Sequence, residues 1–122
     1  MTAIPKLSSL TAHDKRMMRL KPYRSPRCIV CGSEATNDHH QPYRSHVPKA
    51  MHALIPTFSV CGMGTVSGCH RLIHAQAVHL DDIGGSLVLT ADEEATREVN
   101  ESRKLAGWRP VEPFVPFRPM GG

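Results

Sequence analysis

The chain has 122 residues, 40% of them hydrophobic and only six aromatic, with ten prolines, nine glycines and a formal net charge of +4. That length excludes more than one sizeable domain, and that composition excludes a large self-sufficient core, so a staple such as a metal or disulfides is expected. No apolar run reaches the roughly 18 residues of a membrane span and no apolar secretory stretch opens the chain, so its four cysteines are expected in a reducing cytosol, without a membrane partner, where clustered cysteines bind metal more often than they pair.

Charge is placed unevenly along the chain. Residues 1–27 carry seven Lys or Arg against the single Asp14, while the other 95 residues carry eight against ten acids. This basic N-terminal arm is either a solubilising tail or a segment drawn to nucleic-acid phosphates, with Lys21, Arg24 and Arg27 as candidate DNA contacts. Residues 1–12 are expected to be unstructured. HDKRMMRL, 13–20, predicts two helical turns, which Pro22 and Pro26 prevent from continuing.

CIVCG, 28–32, has the form of half a zinc knuckle. Two residues between Cys28 and Cys31 let both sulfurs reach one tetrahedral ion, and Gly32 permits the tight turn around it. Seven residues separate Cys61 from Cys69, but three of the seven are glycine and none is proline. Such a loop can double back and bring both thiols to the same ion. Four cysteines would close the coordination shell, so this zinc would hold the fold and not catalyse. The bland alternative is a set of free buried thiols.

Seven of the eight histidines lie between residues 39 and 79. NDHHQPYRSH, 37–46, places His39 and His40 side by side. On a strand, neighbouring side chains point to opposite faces, so one histidine can ligate a metal while the other is free as an acid or base. GCHRLIH, 68–74, sets His70 and His74 four apart, on one face of a helix and able to share a metal. Farther on, GSLVLT, 85–90, predicts a strand. Thr90–Glu93 has the spacing of a capping box, and the helix should run to about Leu105 and stop at Gly107. Ala91, Ala95, Val99 and Ala106 form its thin apolar stripe, and Trp108 should pack back on the core. Residues 110–122 hold four prolines and are expected to be extended or mobile.

CxxCG, then DHH followed by RS, then CGMGTVSGCHRLIH, together resemble the HNH endonucleases, above all the small zinc-stapled type of phages and prophages. The resemblance covers residues 28–79. It implies an α+β chain with a small ββα-metal, treble-clef-like core, followed by a strand–helix extension over 80–109 and a proline-rich tail over 110–122. The first strand would lie near 36–41, the second near 57–61 and the helix near 68–77, with PYRSHVPKAMHALIP as the long loop between strands.

The implied activity is metal-assisted hydrolysis of DNA phosphodiester bonds, with Mg, Mn, Ni or Zn as the catalytic divalent cation. His70 and His74 match the helical ligands. In the subgroup written HH, the first histidine ligates and the second is the base, which makes His39 a ligand and His40 the base. The alternative, written DH, makes Asp38 the ligand and His39 the base. The first scheme is preferred because RS follows HH at that subgroup's spacing, and Arg44 would then contact a phosphate. One departure stands out: the family's middle asparagine is missing, since no asparagine occurs between residues 38 and 99, and Pro56-Thr57 occupies its place. Phage relatives are thought to work beside genome-packaging proteins, which places such a chain in the cytoplasm of a bacterial or phage-infected cell. Two competing readings are a non-catalytic zinc-stabilised nucleic-acid-binding module and a structural zinc protein with proline-rich docking ends.

Overall fold

The computed structural model describes residues 10–119, a small mixed α/β arrangement. Thr11 caps a short helix, α1 (Ala12–Met17), by accepting the Asp14 amide. Two strands follow, β1 (Asn37–His40) and β2 (Thr57–Val60), paired antiparallel with His39 opposite Phe58 and His40 opposite Thr57. All four residues of β2 are buried. The reason lies in its second edge, which backbone from the N-terminal side covers. Tyr23 exchanges hydrogen bonds with Thr57 and Ser59 at 2.9 Å each, and the Ile29 amide bonds the Ser59 carbonyl at 3.0 Å. A strand flanked on both edges reads as a run of buried residues and not as an alternation.

Helix α2 (Gly68–His74) packs on β2 and on a second hairpin, β3 (Val78–Ile83) and β4 (Ser86–Ala91). Gly84 and Gly85 both take positive φ at the hairpin turn, the conformation that a tight two-residue connection demands. Helix α2 is shorter than the 68–77 expected from sequence. Ala75 caps it and Gln76 adopts φ 64°, which redirects the chain into β3. The sequence reading missed β3, and its boundary at residue 79 falls inside that strand.

Helix α3 (Glu93–Ala106) starts at Asp92, whose carboxylate accepts the Ala95 amide at 2.8 Å. Thr90 is not the cap because it belongs to β4. At the other end Gly107 takes φ 76°, with the Trp108 amide bonded to the Arg103 carbonyl and the Gly107 amide to Lys104, the paired bonds of a Schellman ending.

One hydrophobic cluster runs from Met17 to Val111 and includes Phe58, Val60, Leu72, Leu89 and Val99. The N-terminal segment therefore corrects the expectation of a free arm over its described part. Met17 and Leu20 are core residues, Leu10 joins Val47 and Ile55 in a second cluster, and Arg16 pairs with Asp81 of β3 at 3.2 Å. Residues 1–9, including most of the stretch expected to be unstructured, lie outside the described residues. The described part of the tail turns at Pro113 and Phe114, the latter at φ 61°, and then lies along β4, where Phe117 exchanges two 2.8 Å hydrogen bonds with Leu89. Among the described residues no helix is long and apolar enough to cross a membrane.

Candidate metal centres

Cys28 and Cys31 sit on the turn before β1, Cys61 directly after β2 and Cys69 in the first turn of α2. Their four sulfurs lie within 4.8 Å of one another. Cys31 and Cys61 are 3.6 Å apart, close to the edge of about 3.8 Å that a tetrahedron of 2.3 Å zinc–sulfur bonds requires. The seven-residue gap closes because the glycines let the loop fold on itself. Gly68 has φ 68°, and a Cβ there would stand 2.6 Å from the Gly62 Cα, so no side chain fits. On the knuckle side Gly32 has φ 80°, and the Trp108 ring lies 2.7 Å from where its Cβ would be.

The thiols polarise one another. A hydrogen bond from Cys28 pulls Cys31 down to about 6 and Cys61 far below the usual thiol range, while Cys28 and Cys69 are pushed up. Four sulfurs at this spacing share negative charge that a cation would satisfy. The Cys69 amide also points at the Cys61 sulfur, 3.3 Å away. The donor set fits a structural zinc.

A second group forms where β1 meets α2. Donor atoms of His39, His70 and His74 lie within 4.8 Å of one another. The rings are mutually inclined, with centroids 4.9 to 5.3 Å apart. His39 is 1% exposed, and burial drives its pKa down to about 4, so it is neutral at pH 7, the form that ligates. Nδ1 of His39 and Nδ1 of His70 are the two buried side-chain nitrogens or oxygens without a hydrogen-bond partner among the described residues. Unpartnered buried polar atoms are costly and rare. Both fall in one cluster, which is the observation expected of residues that hold a cation.

Strand alternation puts His40 on the other side of β1 from His39, half-buried and with its pKa lowered first by burial and then by the Arg44 charge. A cavity of about 420 Å³ is lined by Asp38, His39, His40, Arg44, His70 and His74, with Tyr43, Ser45 and Thr65. Asp38 reaches this cavity but is exposed and outside the donor group of the helical pair.

The expected DNA contacts are dispersed. Arg44 is exposed on the cavity wall. Arg24 donates to the Thr57 hydroxyl at 3.3 Å, and Thr57 faces His40 across the hairpin. Arg27 donates to the Gly32 carbonyl at 2.8 Å, where it braces the cysteine knuckle. Lys21 is exposed and lines none of the cavities described.

Several side chains at these centres escaped the sequence reading. Tyr43 stacks on His74, with centroids 4.9 Å apart and planes 11° from parallel. His52 bonds the carbonyls of Arg44 and Val47 at 2.8 and 2.9 Å and pins the loop that carries Arg44. Arg103, 3% exposed, donates to the Val30 carbonyl inside the knuckle at 2.7 Å and lies over Trp108. For Tyr43 the signal available in the sequence was its place between His40 and His46, in QPYRSH.

No protein-family model, no curated protein and no solved structure matches the chain, so the two clusters carry the functional reading by themselves.

Proposed function

We propose that the chain is a metal-dependent endonuclease of the HNH type, hydrolysing DNA phosphodiester bonds. One observation carries the reading: three histidine donors within 4.8 Å of one another, in a cavity that also presents His40 and Arg44. Nucleic-acid binding alone gives no reason to gather three imidazoles, that of His39 fully buried, near a separate cluster of four cysteines.

His39, His70 and His74 would hold the catalytic cation. When bound, it supplies positive charge against the charge that develops on the phosphoryl and leaving oxygens. The remaining work falls to the chain's own side chains. His40, kept neutral at pH 7 by the lowering of its pKa, accepts the proton of the attacking water. His39 is badly placed for that task, being buried and already hydrogen-bonded to Gln41 at 2.7 Å. This favours His39 as ligand with His40 as base over Asp38 with His39. Arg44 offers its planar fork to a non-bridging phosphate oxygen.

Nicking of supercoiled plasmid by zinc-loaded protein tests the assignment. His40→Ala should lower the rate about 10²–10⁴-fold, the usual worth of a general base, while cation binding persists. Asp38→Ala should fall well short of His39→Ala. A His40→Ala protein as active as the parent removes the base assignment. Folded, zinc-loaded parent that binds DNA yet never cuts it, with Mg, Mn, Ni or Zn supplied, favours the non-catalytic binding module.

A further inference from the structure

We propose that Gln41 is a positioning residue for the histidine centre: it fixes the tautomer of His39 so that Nδ1 is the ligating atom. The inference rests on the cation reading of that centre and not on DNA cleavage. Its starting point is the 2.7 Å contact between His39 Nε2 and Gln41 Oε1. An amide oxygen can only accept, so Nε2 carries the proton. A neutral imidazole has one N–H, so the lone pair is on Nδ1. That same Nδ1 is buried and has no hydrogen-bond partner among the described residues.

The surroundings agree with this polarity. Gln41 lines a separate cavity of about 310 Å³, with His13, His46 and His79 on its wall. His39 lines the cavity that it shares with His70 and His74 and not this one. The Nε2 edge of the ring therefore faces Gln41, and its other nitrogen is left for the helical histidines. Gln41 follows directly after β1, and its amide bonds the Pro56 carbonyl at 3.3 Å. The hairpin thus holds the acceptor in register with the ring it orients. Ligating histidines characteristically donate their second nitrogen to a fixed acceptor, which sets ring orientation and raises basicity at the ligating atom. Here a neutral side-chain amide would fill that role.

The test uses full-length, zinc-loaded protein and needs no cleavage. Long-range ¹⁵N–¹H spectra of the imidazoles report the tautomer, and calorimetric titration with Ni²⁺ or Mn²⁺ reports affinity at the histidine centre. His39 should be in the Nε2–H form before the titration and should shift at Nδ1 on cation binding. Gln41→Met, which keeps length and loses the acceptor, should weaken the cation about 10–100-fold. Gln41→Glu, which keeps the acceptor, should bind at least as tightly as the parent. An Nδ1–H tautomer in the parent overturns the proposal, and so does Gln41→Met with parental affinity. The parent spectrum decides the matter even if Gln41→Met does not fold. A protein that binds the cation through His39 Nδ1 and cuts no DNA leaves this proposal standing and removes the nuclease reading.

Discussion

His39 and His40 differ by one position and by almost everything that governs their chemistry. One is 1% exposed and opposite Phe58; the other is half-buried, opposite Thr57 and under the influence of Arg44. This division was legible in the sequence, because adjacent residues on a strand must part company. Which neighbour would join the helical pair was not, because that depends on where α2 lies. Gln41 was equally illegible: its role exists only through the direction of one hydrogen bond. Gly32 gives a sharper expectation. Its φ of 80° and the Trp108 ring 2.7 Å from an added Cβ leave Gly32→Ala both strained and crowded. Urea unfolding should show a loss of about 2–4 kcal/mol, against about 1 kcal/mol at exposed Gly64, which shares the strained φ, at 55°, but has open space around it.

Elements with local signatures were readable, and those held by distant partners were not. Gly107 and the short apolar run of β4 announce the end of α3 and its preceding strand from nearby residues, while the cap was read two positions early, at Thr90 instead of Asp92. Strand β3 alternates at its start, with Val78 and Leu80 buried and His79 exposed, but Asp81-Asp82 obscured the pattern. Helix α1 was legible as the two turns expected over 13–20, but its packing was not: Met17 and Leu20 join the core. The reach of α3 is the clearest case of a tertiary effect. Arg103 spans 73 positions to the Val30 carbonyl, and its stacking on Trp108 and Phe117 ties helix and tail to the cysteine knuckle. A buried arginine on a thin stripe of alanines reads from sequence as a solvated charge. Arg103→Ala should cost about 2–4 kcal/mol through its lost hydrogen bonds and packing. It should also speed zinc release to a colorimetric chelator, while Lys104→Ala, exposed one position on, should do neither.

Across the molecule, the four cysteines tie the N-terminal turn, the end of β2 and the start of α2 to one point, and a single core packs around them. A metal held at that point would explain how so few aromatic residues suffice, since its binding would stand in for apolar burial. The same dependence has a sign with pH. The ligating thiolates must be deprotonated, so zinc and the stability it brings are retained at neutral pH and lost as acid protonates the sulfurs. A strong chelator at pH 7 should lower Tm by many degrees, with near-complete recovery on adding zinc, as scanning calorimetry can record.

Because the cysteine centre and the histidine centre are separate sets of ligands, they should also be separable in solution. Zinc content and plasmid nicking measured on one preparation, as Mn²⁺ or Mg²⁺ is titrated in, address this directly. About one zinc per chain should stay bound throughout, and nicking should rise with the second, exchangeable cation. His39→Ala should keep the zinc and lose the nicking. Nicking that ignores the added cation, or a His39→Ala protein that cuts as well as the parent, would contradict a catalytic histidine centre.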